Sequence, residues 1–276
     1  MLHLLYARFW HLVLHEIGLT AAPEPFKRMV HQGMILGADG EKMSKSRGNV
    51  INPDDIVDKY GGDAMRLYEM FMGPLEATKP WQTSQVAGVV RFRDRVHALC
   101  ARHAAAAAAG DAIPALADET ERLLHKTMRK VTTDIEKLGF NTAISALMVL
   151  ANELAGKGAN PPAAPRDALE KLVLMVAPFA PHLGEECWRL LGHEESLAYA
   201  PWVAWDDALC EDSVVTLGVQ VNGKVRAQIA LAPDAAEDDA RALALADPNV
   251  AKFVDGKELK KFVYVPGRIV NVVVGK

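Results

Sequence analysis

Between Gly37 and Val50 the chain reads GADGEKMSKSRGNV. Lys42, Lys45 and Arg47 crowd into this stretch, interleaved with Ser44 and Ser46 and bracketed by Gly37, Gly40 and Gly48. Neighbouring like charges repel, and glycines leave a backbone loose. An anion would offset both costs. Lysine is a compact point charge on a flexible stem, suited to a triphosphate whose charge moves during reaction. Two lysines three positions apart can reach adjacent phosphates, and the serines add neutral donors. The glycines would let the loop close on its anion. No window matches the Walker pattern G-x-x-x-x-G-K-[ST]. From these residues alone, an exposed charged turn remains the alternative.

The surrounding pattern must place this loop. Residues 1–19 read as an apolar helix ending near Gly18, followed by a loop at Pro23 and Pro25. Lys27 to Leu36 carries a strand-like stretch that leads into the glycine-rich loop. Asn52-Pro53-Asp54-Asp55 then reads as a helix start, with Asn52 as cap, Pro53 in the first turn and acids facing the dipole. That helix should stop at Gly61-Gly62, and Asp63 should cap a second one running to about Met72. Helical periodicity dominates from Ser84 to about Ala200, with helices expected over 86–109, 118–138, 141–155 (capped by Asn141), 166–176 and 185–191. Short connections predict an antiparallel bundle. After Trp205 the periodicity shifts to alternation. Strands are expected over 214–221 and 224–231 around Asn222-Gly223, a strong hairpin signal, then a helix over 235–246. Strands over 259–265 and 269–274 close the chain around Pro266-Gly267. The fold class is therefore mainly α with a small α+β C-terminal domain.

With 276 residues the chain suits two or three domains, and half of its residues are hydrophobic. The net charge of −4 confines any nucleic-acid contact to local basic faces. Cys100, Cys187 and Cys210 lie far apart in sequence without a C-x-x-C, which suggests neither a disulfide framework nor a zinc site and fits a reducing compartment. No segment reads as a membrane span. The N-terminal stretch lacks the basic start of a signal peptide, and Arg8 interrupts it. Opening on an apolar helix with no strand before it reads as a cut from something longer.

Several basic faces could meet a phosphate backbone. In the helix expected from Asp118, a stripe of Leu124, Met128, Val131, Ile135 and Leu138 faces inward. Arg122, Lys126, Arg129, Lys130 and Lys137 fall opposite. A solvated helix face is the alternative. In the terminal domain, Lys224 and Arg226 are expected on one hairpin face, opposite Val225 and Ala227. Lys257, Lys260, Lys261 and Arg268 add charge, or merely protect strand edges. His3, His11 and His15 share a broad helix face, but H-x-x-x-H is a weak metal signal on its own, and no protein-bound metal is expected. Trp10, Trp81, Trp188, Trp202 and Trp205 are read as core or interface residues.

The K-M-S-K-S run, Lys42 to Ser46, resembles the signature loop of class I aminoacyl-tRNA synthetases. Its flanks fit too: Gln32-Gly33-Met34, Arg47-Gly48-Asn49-Val50, Asn52-Pro53 and Asp63 to Tyr68. HLLYARFWH, GFNTAISALM, APFAPHLGEECW, VQVNGKVRAQI and YVPGRIVNVVVG are similar to the C-terminal part of bacterial-type leucyl-tRNA synthetases. The last two point to leucine. The resemblance covers essentially the whole chain. It implies a tail of a Rossmann-type catalytic domain (1–35), the signature loop with a stem-contact segment (36–83), an anticodon-binding-like bundle (84–205) and a tRNA-binding α+β domain (213–276).

The resemblance also implies ATP with Mg2+, leucine and tRNA(Leu) as substrates, in the cytoplasm. Lys42, Met43, Ser44, Lys45 and Ser46 would bind ATP. Lys45 would stabilise the departing pyrophosphate, Lys42 would assist, and the serines would hold the loop. Lys126, Arg129, Lys130, Lys224, Arg226, Lys260 and Lys261 would contact tRNA. The H-I-G-H loop of the class does not occur, and His182-Leu183-Gly184-Glu185 lacks the second histidine. The expectation is therefore half of an enzyme, inactive until an N-terminal half joins it. The alternatives are a stand-alone tRNA-binding module with a vestigial loop, or the same part of an isoleucine or valine enzyme.

Overall fold

The computed structural model describes residues 2–211, 215–232 and 235–275. It divides into two units, one of residues 1–114 with 130–202, the other of 115–129 with 203–276.

The first unit opens with α1 (Leu2–Glu16), no residue of which is buried. Leu5, Tyr6, Phe9 and Trp10 are all more than half exposed. His11 and His15 hydrogen-bond the carbonyls of Ala22 and Thr20, at 2.7 and 2.9 Å, and so bind the following loop to the helix. The strand expected up to Leu36 shrinks to β1 (Ile35–Leu36), which pairs in parallel with β2 (Lys79–Pro80). A Cβ on Gly33 would collide with the Ala77 carbonyl, so only glycine lets the two segments approach.

Helices α2 (Pro53–Tyr60) and α3 (Gly62–Phe71) follow the loop. Asn52 caps α2 as its sequence demands, accepting from the Asp54 amide. Asp63 does not cap α3; Gly61 occupies that position. The bundle of the first unit comprises α4 (Val86–Ala109), α6 (Phe140–Ala155), α7 (Arg166–Val176) and α8 (Pro181–Leu190), while α5 (Asp118–Glu136) is shared in sequence between the two units. In α5, Leu124, Met128 and Val131 are buried as the spacing requires. Gly139, not Asn141, sits at the cap of α6.

Helix α8 starts four residues before its expected position, and Asp63 is the reason. Its own cap residue, Ala180, has no side-chain acceptor. The Asp63 carboxylate, 7% exposed, accepts from the Leu183 amide at 2.7 Å, the His182 amide at 3.4 Å and His182 Nδ1 at 2.9 Å. One turn along α3, Arg66 donates to the carbonyls of Pro178 at 2.9 Å and Phe179 at 3.3 Å, just past the end of α7. The acid meets a helix N-terminus and the cation the carbonyls beyond a C-terminus, each matched to the local dipole. A Cβ on Gly184 would press on Ala177 at 2.9 Å, so α8 lies tight against the preceding turn.

Tertiary folding also joins cysteines that are distant in sequence. Cys100 of α4 and Cys187 of α8 are both buried. A hydrogen bond to Cys187, together with burial, pushes the Cys100 thiol up from its ordinary range, which makes it a poor nucleophile. Trp81 and Trp188 belong to the core, but Trp10 and Trp202 do not: they are 61% and 41% exposed.

In the second unit, β3 (Val215–Val221), β4 (Lys224–Leu231), β5 (Leu259–Val265) and β6 (Ile269–Val274) form a sheet ordered β4-β3-β6-β5, with β3 and β6 parallel at its centre. Ser213 and Val214, where the sequence reading opens this domain and its first strand, lie outside the described residues. Asn222 and Gly223 take the positive φ values, 50° and 82°, that their hairpin turn needs. The Asn222 side chain then pairs with Val274 of β6, and the Gly223 amide donates to the Asn271 side chain. Helix α9 (Glu237–Ala246) is joined by an unforeseen α10 (Pro248–Val254), which Asp247 caps through the Asn249 and Val250 amides. The D-P-N sequence carried that signal.

Removing the Asp63 carboxylate should uncap α8 in a buried setting. Asp63→Ala is expected to cost about 2 kcal/mol, seen as an earlier urea midpoint at unchanged slope, with Asp63→Asn less affected. An unchanged midpoint in Asp63→Ala would count against the cap.

Candidate functional site

The signature loop is exposed yet internally ordered. A 3-10 turn over Lys45–Arg47 is capped by Ser44, whose hydroxyl accepts from the Arg47 amide at 3.3 Å and meets the Ser46 hydroxyl at 3.2 Å. Gly48 closes the turn at φ 66°, a left-handed conformation that favours glycine. The serines thus hold the loop's shape.

A second layer holds the loop's two ends together. Asn49 accepts from the Ser44 amide at 2.9 Å through Oδ1 and donates through Nδ2 to both Asp39 oxygens, at 3.1 and 3.2 Å. Asp39 also accepts from the Glu41 amide at 3.1 Å. A Cβ on Gly37 would stand 2.6 Å from Asp39 Oδ1 and 2.9 Å from Asn49 Nδ2, so glycine there makes room for the pair. The Glu41 amide, followed by the Asn49 side chain, holds the Asp39 carboxyl below its ordinary range. Sequence reasoning assigned Asp39 no role and used Asn49 only as a flank. The signal was present, since short Asp and Asn side chains bond nearby backbone in loops.

Lys42 and Lys45 are exposed, and the structure gives neither ammonium a partner among the described residues. Arg47 differs, pairing with Glu41 at 3.4 Å. Two free ammonium groups on a braced, capped turn can meet a polyphosphate without first breaking an ion pair. Met43 between them is half-buried. Among the described residues no group of three or more His, Cys, Asp or Glu side chains could hold a metal ion. No helix among them is long and apolar enough to cross a membrane.

The basic stripe on α5 is partly engaged by protein. Arg122 donates to the Ala208 and Glu211 carbonyls, and Arg129 to Cys210 while pairing with Asp207 at 3.6 Å. Lys130 pairs with Asp134 at 2.8 Å. Lys126 also has a partner. Arg122 and Arg129 thus help dock the 206–211 segment. The pairs of Arg129 and Lys130 are solvent-exposed, and such pairs yield readily to competing anions.

In the terminal unit two bulges upset the expected alternation. Register slips between Val219 and Gln220 leave Arg226 unpaired in β4, so Val225 faces outward, 59% exposed. Arg226 lies over the Phe253 ring at 3.9 Å. A second slip lies between Leu259 and Lys261, so Lys260 and Lys261 are both exposed on edge strand β5. Lys224 is exposed beside the hairpin turn.

Comparison with known proteins places these features. A family model described as "tRNA synthetases class I (I, L, M and V)" matches residues 6–79, which include the loop. One described as "Anticodon-binding domain of tRNA ligase" matches residues 119–241. The chain is thus a segment of a class I aminoacyl-tRNA synthetase. It is 59% identical to a leucine–tRNA ligase of Sorangium cellulosum over its whole length, covering 31% of that protein. Against the enzyme of Chloroherpeton thalassium it is 48% identical over 99% of its length, covering 34%. It also aligns over its full length, at 34% identity and a TM-score of 0.74, with 37% of the agnB2 LeuRS of Agrobacterium radiobacter K84, solved as a ternary complex with tRNA and LeuAMS. It belongs to the leucyl-tRNA synthetases as their C-terminal portion, and spans about a third of the length of the relatives it matches.

The brace has a pH signature. Asp39 is depressed in the folded loop, so the order it contributes is complete above the ordinary carboxylate range and lost as pH falls through the lowered value. The Asn49 side-chain amide resonances should follow that titration, with a midpoint below the usual aspartate range, and should lose it in Asp39→Asn. A midpoint at the unperturbed value would show the two side chains apart in solution.

Proposed function

We propose that this chain supplies the ATP-gripping loop and tRNA-binding surfaces of a leucine–tRNA ligase. In that reaction the leucine carboxylate attacks the α-phosphate of ATP, forming leucyl-adenylate and releasing pyrophosphate, and the leucyl group then passes to tRNA(Leu). ATP enters as its Mg2+ complex, a substrate. Lys45 is the catalytic residue of the loop: its ammonium stabilises the negative charge that develops on the departing pyrophosphate. Lys42 assists along the triphosphate, Ser44 and Ser46 keep both lysines presented, and Met43 completes the binding segment. Fixed cations aimed at developing charge act without a nucleophile or general base. The observation that carries this reading is the pair of unpartnered ammonium groups on a loop whose every other polar side chain is committed to its shape.

The apolar surface of α1, with no residue buried, supports a further part of the reading. In this reading it packs against the remainder of the catalytic domain; the relatives are about three times as long as this chain. Lys224, Arg226, Lys260 and Lys261, with Lys126, Arg129 and Lys130, contact the phosphates of tRNA(Leu) by shape and charge rather than base identity. The setting is the cytoplasm, where protein synthesis draws on charged tRNA.

The test is leucine-dependent ATP–pyrophosphate exchange. The chain alone should show none, and adding a polypeptide with the upstream catalytic portion of a relative should restore it. In the mixture Lys45→Ala should reduce exchange roughly a hundred- to thousandfold, with a smaller loss for Lys42→Ala. Exchange by the chain alone would sink the half-enzyme reading. Equal exchange in Lys45→Ala would leave a tRNA-binding module with a vestigial loop, and exchange with isoleucine or valine in place of leucine would reassign the substrate.

A further inference from the structure

Within the first unit lies a cavity of about 270 Å³ that the signature loop does not touch. Three segments build it. Arg28 comes from the chain before β1, Glu76 from the turn after α3, and Lys137 and Asn141 from the junction of α5 and α6. None of these four side chains has a hydrogen-bond or ion-pair partner among the described residues.

Local hydrogen bonds and close backbone contacts tie the walls together. At the helix junction Leu138 holds φ 60°, a left-handed conformation rare for a residue with a large side chain. Such strain persists only where neighbours over-determine it. Here the Gly139 amide donates to the Asp134 carbonyl at 2.7 Å, and the Thr142 hydroxyl donates to the Asp134 carboxylate at 2.7 Å. Lys130 pairs with the same carboxylate at 2.8 Å. The opposite wall is pinned by Gly33, whose amide donates to the Leu75 carbonyl at 2.8 Å and whose missing side chain admits the Ala77 carbonyl. Lys79, its pKa lowered by burial, closes the same turn on the Gly73 carbonyl.

The electrostatics favour an anion. Two free cations outnumber the single carboxylate of Glu76. The N-terminus of α6 opens beside them, its cap residue Gly139 lacking any side-chain acceptor for the first-turn amides. Those amides carry the positive end of the helix dipole, and the Asn141 amide adds neutral donors. Two exposed cations without protein partners, at the edge of a cavity tied together by local hydrogen bonds, can receive a phosphate without first breaking an ion pair.

We propose that this cavity seats a backbone phosphate of the bound tRNA, with Arg28 and Lys137 as its cationic ligands and Asn141 as a neutral donor. The inference rests on the tRNA-binding reading above. It joins Lys137, at the end of the basic stripe read from the sequence, to Arg28 and Asn141, which none of the basic faces chosen from the sequence includes. Glu76 on the rim weakens the grip and keeps it reversible.

The test measures binding of a tRNA(Leu) transcript to the chain by fluorescence anisotropy across a salt series. Arg28→Ala and Lys137→Ala should each flatten the slope of log affinity against log salt by about one, while Glu76→Gln should tighten binding. As a second readout on the unmodified chain, tRNA should shield Lys137 from amine acylation and ATP should not. Slopes unchanged in both alanine variants, or equal shielding by ATP, would overturn the phosphate seat while leaving the tRNA-binding reading intact. No binding of tRNA by the unmodified chain would overturn both.

Discussion

The first unit depends on two side chains of α3 set one turn apart. Asp63 reaches the bare N-terminus of α8, and Arg66 reaches the carbonyls that follow α7. Both ends of an α7–α8 turn that lacks caps of its own are therefore satisfied by a helix more than a hundred positions earlier. Unmet amides and carbonyls at buried helix ends are costly, so the bundle and the loop-bearing segment cannot separate without exposing that cost. The segment that carries the signature loop is thereby fixed to α7 and α8.

The same economy of charge governs the loop. Crowded cations would disorder a glycine-rich segment, yet every polar group other than Lys42 and Lys45 is tied down. Ser44 caps the turn, Arg47 meets Glu41, and Asn49 and Asp39 close the base. The two ammonium groups are left free because their neighbours are not. A loop that is ordered before its anion arrives loses less conformational entropy on binding.

In the second unit bulges decide where charge goes. Each register slip adds a residue to one strand and turns the following side chains to the other face. One slip leaves Arg226 over Phe253 and turns Val225 outward. The other puts Lys260 and Lys261 side by side on an edge, where lysines also discourage unwanted strand pairing. Asn222 and Asn271 bond across to neighbouring strands and lock the hairpin to the central pair.

The sequence by itself determined what depends on near neighbours. Asn52-Pro53 set the start of α2, Gly110 the end of α4, and Asn222-Gly223 the hairpin, because caps and turns are satisfied within a few residues. The signature loop was legible for the same reason: its lysines, serines and glycines are contiguous. Tertiary structure alone decided the rest. Asp63 looked like the cap of its own helix and serves a distant one, since a carboxylate bonds whichever bare amides folding brings to it. The basic stripe of α5 was visible as a pattern, but not its engagement by the 206–211 segment. The cavity of Arg28, Lys137 and Asn141 was invisible, because three segments distant in sequence supply one small volume. Periodicity and composition report only on local backbone, and long-range pairing of charges and dipoles leaves no trace in spacing.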